Sequence, residues 1–169
     1  MNYKPYSEKD KKISDYKAKV LSSLFMMREG KFNLLTPIKD QQEAYKSYDI
    51  IMVRNKDGKE VRIESEQKRV WVEHGKWHLS FLTLDVPFRK NESKADVFIM
   101  SNLHWDTIAV TYMKDVLKSR VYKKNTKCSN VKTQLEPFFA VDLDRIRFFK
   151  AISDDRKKWV EIDKYGNLK

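Results

Sequence analysis

A chain of 169 residues that is 41% apolar, 12% aromatic and 35% charged, with four glycines and four prolines, is long enough for one packed core and excludes a disordered or collagen-like protein. Its formal charge of +11 points to a polyanionic partner, because surplus Lys and Arg concentrate phosphates at the surface and speed encounter. The lone Cys128 excludes an internal disulfide, three scattered histidines offer no zinc constellation, and no long apolar run or signal-peptide core is visible. The expectation is a cytoplasmic protein without membrane contact.

Ser7-Glu8-Lys9-Asp10 reads as a capped helix start and Gly30 as its stop. Ile13, Tyr16, Val20, Leu21, Leu24, Phe25 and Met27 keep helical spacing, which predicts one apolar stripe with Lys9, Lys11, Lys12, Lys17 and Lys19 on the remaining surface. Residues 32–36 follow as a short strand ended by Pro37, then 38–48 as a polar connection. Two strand-like runs, 49–53 and 61–68, flank Asp57-Gly58, the dipeptide suited to a type I′ hairpin turn. Facing Lys56 with Lys59 sets the register, with Met52 opposite Ile63, Ile51 opposite Glu64 and Asp49 opposite Glu66. Alternation puts Ile50, Met52, Val61 and Ile63 on one face, and gathers Asp49, Glu64 and Glu66 with Arg62 and Lys68 on the other.

Beyond Gly75, residues 77–86 read as an alternating strand ending at Pro87-Phe88-Arg89-Lys90, and 95–101 as another. Residues 107–113 suit a strand, 114–122 a short helix and 123–134 a basic loop. Two closing strands, 136–141 and 146–152, are joined by an acidic turn at 142–144. The polar tail from Ser153 has Trp159 and Ile162 as anchors. No repeat or linker interrupts the chain, so 1–169 is one domain, with 1–11 and 153–169 as flexible or peripheral ends.

The acidic hairpin face is the sharpest feature. Opposed carboxylates lie about 5 Å apart at Cβ and repel. Magnesium or manganese, which suit hard carboxylate oxygens, would remove that repulsion. The competing reading is a solvated mixed-charge surface neutralised by Arg62, Lys68 and Arg69. Asp15 on the first helix stands as an outer acid or as an ordinary solvated one. Trp71, Trp77, Trp105 and Tyr112 suit either base stacking or the core.

The order helix, strand, Asp-bearing strand, Glu-bearing strand resembles the restriction-endonuclease-like fold of the PD-(D/E)XK nuclease superfamily. The resemblance rests on Ser47-Tyr48-Asp49 followed by Ile63-Glu64-Ser65-Glu66-Gln67-Lys68, and the proline of the family signature is missing. Pro87-Phe88-Arg89-Lys90 and Glu136-Pro137-Phe138-Phe139 look similar to segments of small phage and prokaryotic members. Motif-level likeness spans residues 12–100. It implies an α/β (α+β) domain in which a central mixed β-sheet carries an N-terminal amphipathic helix and few others. It also implies a magnesium- or manganese-dependent endonuclease that hydrolyses phosphodiesters in DNA before RNA.

Under the resemblance, Asp49, Glu64 and Glu66 hold the metal as the Glu-x-Glu variant, or Glu66 and Lys68 form the usual Glu-x-Lys pair. Lys68 orients the attacking water or stabilises the pentacovalent phosphate, and Lys90 takes that role if Glu66 is a ligand. Arg62, Arg69, Arg89, Lys90, Lys123 and Lys124 are the nucleic-acid-binding candidates, with Arg89 able to clamp a phosphate bidentately. Many such nucleases dimerise to cut both strands, so a homodimer is an option, although no heptad pattern is visible. Two other classes compete. A non-catalytic nucleic-acid-binding protein on a degenerate nuclease fold would show steep salt dependence and need no metal. A phage-type protein-interaction factor would ignore competitor DNA.

Overall fold

The computed structural model describes residues 8–35, 49–126 and 134–169. Helix α1 (Glu8–Met26) opens the chain, and its proposed cap, Ser7, lies outside the described residues. The face it buries keeps Leu21 and Phe25 of the predicted stripe but turns away from its N-terminal part. Ser14, Ala18, Lys19, Leu21, Ser22, Ser23, Phe25 and Met26 are buried, whereas Ile13 and Tyr16 are 46% and 55% exposed. Small side chains decide the choice, because they let α1 lie close against strand β3 (Glu60–Gln67). There Ser14 Oγ donates to Gln67 Oε1 at 2.5 Å, and the Ser22 and Ser65 hydroxyls share a hydrogen bond at 2.7 Å.

The remaining strands are β1 (Phe32–Leu34), β2 (Ile50–Arg54), β4 (Thr83–Pro87), β5 (Val97–Ser101), β6 (Thr107–Tyr112), β7 (Arg120–Thr126), β8 (Gln134–Asp142), β9 (Arg147–Ala151) and β10 (Trp159–Ile162). Seven of them form a sheet in the order β1-β2-β3-β5-β6-β9-β10, and β4-β8-β7 form a second, antiparallel sheet. Among the described residues, only β3 and β5 pair in parallel in the large sheet; every other pairing in it is antiparallel. A parallel pair needs a long crossover, and here residues 68–96 supply it, carrying β4 and the 3₁₀ turn Phe88–Glu92.

Two cores result. Leu21 and Phe25 of α1 pack on Ile50, Met52, Ile63, Val97, Ile99 and Phe149 of one face. Phe98, Met100 and Phe148 of the other face pack on Leu84, Val86, Phe139 and Val141 of the small sheet. The protein is thus a mixed α/β domain of a mostly antiparallel sheet and few helices. The acidic hairpin faces the crossover side.

Several local expectations are corrected. Asp57 keeps negative φ and only Gly58 turns positive, at 71°, so the hairpin has no type I′ turn. Arg54 and Lys59 close a four-residue loop instead, with Arg54 N–H donating to Lys59 O at 2.9 Å and Gly58 N–H to Arg54 O at 2.8 Å. The Asp57 carboxylate braces it from Arg54 and from the Lys59 N–H. The register therefore moves by two residues, pairing Ile50 with Ile63 and Met52 with Val61. A shift of two keeps every side chain on its face, but Asp49 now stands opposite Glu64 rather than Glu66.

The strand expected at 77–86 shrinks to β4. Trp71 and Trp77 lie fully buried in the preceding loop, ring centroids 4.8 Å apart, with their indole N–H groups donating to Lys76 O and Phe81 O. The second helix, α2, covers only Met113–Lys118, and β7 occupies ground assigned to its end and to the basic loop. The tail is not peripheral. β10 pairs with β9, with Trp159 and Ile162 buried as anchors.

Gly166 locks this tail against the loop before β4. Its φ is 92°, and a Cβ there would sit 2.5 Å from Gly75 O, beside the Trp77 N–H to Lys164 O bond of 3.0 Å. Gly166→Ala is expected to cost about 2–3 kcal/mol through strain and clash. Urea unfolding should show a lower midpoint at an unchanged m-value. An unmoved midpoint would mean that the tail clamps nothing.

Candidate active site

The site begins where β2 begins. Asp49 precedes the strand, donating its N–H to Ile63 O at 2.8 Å, while Ser65 N–H lies just past the end of the ladder. The Asp49 carboxylate takes that orphan donor, Oδ2 to Ser65 N at 2.8 Å, which fixes it beside Glu64. Glu64 is 6% exposed. Its Oε2 accepts from Lys90 Nζ at 2.6 Å and its Oε1 from Ser93 Oγ at 3.2 Å. Lys90 and Ser93 come from the 3₁₀ turn that follows β4 and from the residue capping it. The crossover thus delivers to Glu64 an ammonium from outside its own strand.

Glu66 follows on the same face of β3. Its Oε1 meets Arg89 at a long 3.4 Å, and its Oε2 is buried with no hydrogen-bond partner among the described residues. Helix α1 adds two groups on the site's flank. Asp15 feels the charges of Lys90 and Arg89, and the buried Lys19 acts on Asp49. Lys19 was expected on the surface. Its spacing groups it with solvated lysines, and nothing in a hydrophobic stripe marks it as buried.

The electrostatics are those of a crowded acidic centre. Burial, followed by the neighbouring Glu64 charge, pushes Asp49 up to about 6, against the smaller opposing pull of Ser65 N–H, Lys90 and Lys19. Burial also raises Asp15 despite the lysines around it. Burial pulls the Lys90 amine down, but Glu64, Glu66 and Asp49 together outweigh it and hold that amine above its ordinary value.

The other predicted residues disperse. Lys68 lies beyond β3 with its amine 4.9 Å from the Phe81 ring centroid, where burial and then the Lys124 charge hold it below its usual range. Lys124 Nζ binds Asp85 Oδ2 at 2.7 Å, together with the Tyr122 hydroxyl at 2.5 Å. Burial and Asp85 push that hydroxyl up to about 12. Lys123 faces solvent from β7, and Arg62 and Arg69 are exposed at the two ends of the acidic stretch.

Two of the three histidines are brought together. His74 and His104 stack at 3.9 Å, and His74 Nδ1 bonds Asp106. His78 Nδ1 meets the Ser80 hydroxyl at 2.7 Å. Loop folding creates these contacts, which sequence spacing does not show.

No three Asp, Glu, His or Cys side chains among the described residues converge as a ready-made metal cage. The donor chemistry at Asp49 and Glu64 still suits a hard divalent cation. Burial and the Glu64 charge hold Asp49 neutral up to about pH 6, a cost that a bound cation would offset, and magnesium is commonly held by one or two carboxylates with water filling its shell. Compared with known protein families, characterised proteins and solved structures, the chain matches none.

Proposed function

We propose that the chain is a metal-dependent nuclease of the PD-(D/E)XK kind, hydrolysing phosphodiester bonds in DNA before RNA. The observation that supports this reading most is the part-buried Asp49 beside the buried Glu64, with Lys90 held against them, on a chain of charge +11. A basic surface draws the polyanion in, and the acidic centre holds a cation that such a surface would otherwise repel. Asp49 and Glu64 are the residues to hold magnesium or manganese. Bound there, the ion supplies Lewis-acid polarisation of the phosphate and a more acidic water.

Lys90, rather than Lys68, is the lysine of the centre. Its ammonium, 2.6 Å from Glu64, orients the attacking water or meets negative charge as it develops on the phosphate. Arg89, with its side chain 68% exposed, is free to turn from its long contact with Glu66 toward a phosphate. Glu64, with Lys90 as its lysine, is the functional acid, and Glu66 stands behind it.

The test is cleavage of plasmid and of labelled RNA with Mg2+ or Mn2+, comparing wild type with Asp49→Asn and Glu64→Gln. Loss of cutting in both variants with retained binding is the expected result. Undiminished cutting in either removes that residue from the centre. One observation favours a second reading, a non-catalytic binding protein: both Glu64 oxygens already have donors. Calorimetric titration of Mn2+ into wild type and Asp49→Asn separates the two, since only the nuclease requires metal affinity that the substitution removes.

A further inference from the structure

The chain leaving β3 carries Lys68 into a second polar cluster, on the small sheet. Lys68 is half-buried and has no ion-pair partner among the described residues. Lys124, Asp85 and Glu66 are the charges that act on it most. Neither carboxylate lies within ion-pair distance of it. Asp85 Oδ2 is taken by the Tyr122 hydroxyl at 2.5 Å and Lys124 Nζ at 2.7 Å, and Asp85 Oδ1 by the Thr83 hydroxyl at 2.9 Å. Glu66 Oε1 faces Arg89 at 3.4 Å, and its Oε2 has no hydrogen-bond partner among the described residues. Three cations, Lys68, Lys124 and Arg89, thus stand against two acids, Asp85 and Glu66. Buried charges in proteins are normally paired, so an ammonium beside a second ammonium marks a place where a counter-ion is missing.

We propose that Lys68 and Lys124 form a phosphate-binding subsite for the nucleic-acid backbone, next to the cleavage centre rather than in it. The identity of the ligand rests on the nuclease reading. Its position follows from the strand. At about 3.3 Å per residue, Lys68 stands roughly 13 Å along from Glu64, too far to touch a phosphate held at Asp49 and Glu64 and well placed for a neighbouring one on the same strand. Lys124 spends one of its three donors on Asp85 and keeps two for an oxyanion. Asp85, held by Thr83 and Tyr122, fixes where that ammonium points.

The experiment is fluorescence anisotropy of a labelled DNA duplex in EDTA, at rising KCl, for wild type, Lys68→Met and Lys68→Arg. Lys68→Met is expected to weaken binding about tenfold and to lower the slope of log K against log salt by about 1, while Lys68→Arg stays near wild type. Melting curves of all three establish that the fold is retained. Wild-type affinity and slope in Lys68→Met would overturn the subsite, as would weaker binding with an unchanged slope. The two readings fail separately. A wild type that shows the Lys68 effect but never cuts with Mn2+ keeps the subsite and loses the nuclease; one that cuts, with Lys68→Met indistinguishable in binding, does the reverse.

Discussion

Asp49→Asn is expected to abolish cleavage and at the same time to stabilise the metal-free protein at neutral pH. The cutting rate should fall by about 10²–10³-fold or more, the scale seen when one electrostatic group of a catalytic centre is lost. The stability gain follows from linkage. Asp49 titrates at about 6 in the fold and near 3.8 when unfolded, so between those values the folded state binds the extra proton and stability falls as pH rises. Above pH 6 the full cost is present, about 3 kcal/mol at 1.36 kcal/mol per unit. Below about pH 3.8 both states are protonated and the cost vanishes.

Asparagine carries no charge and can still accept the Ser65 N–H. Urea unfolding of the two proteins in EDTA should therefore separate at pH 7.5 and converge toward pH 4. A variant less stable than wild type at pH 7.5 would identify the centre as a satisfied structural network. Gain of stability with loss of activity is the signature of a group kept for function.

Lys90→Met should have the opposite effect on stability. The Lys90 and Glu64 side chains are 18% and 7% exposed, and removing one member of a buried pair leaves an uncompensated charge. A loss of about 3–5 kcal/mol is expected at pH 7, together with loss of cutting. Because the Lys90 amine lies above its ordinary value in the fold, its contribution holds throughout the range below about 10.5 and fades only as pH rises through the folded value. Combining Glu64→Gln with Lys90→Met removes both charges and should restore much of the stability but none of the activity. Non-additivity of this size, measured as a double-mutant cycle, reports direct contact. Additive losses would mean that the pair is not formed.

The faces of the acidic hairpin were legible because strand alternation does not depend on the turn. The register was not, because Asp57-Gly58 signals a two-residue turn while the Asp57 carboxylate instead supports a longer loop closed by Arg54 and Lys59. That error exchanged the acid opposite Asp49 without moving any acid off its face. In α1 the apolar pattern pointed to Ile13 and Tyr16, yet packing followed the small residues that let the helix approach β3.

Trp77 and its neighbours read as a strand by composition. Their indoles are satisfied by loop carbonyls, a solution that propensity does not encode. Lys90 was identifiable as an alternative to Lys68, but its approach to Glu64 depends on the crossover. Lys19 was hidden altogether, since a buried lysine looks like any other lysine on a helix.

The crossover between β3 and β5 has a consequence for biogenesis. Asp49 and Glu64 meet through a local hairpin, which forms early and fast, whereas Lys90 reaches them only when residues 68–96 have closed a large loop and the parallel strands have zipped. A nascent or partly denatured chain therefore carries the acids without their ammonium. Under the proposed nuclease reading, competence to cut should therefore appear only in the last stage of refolding.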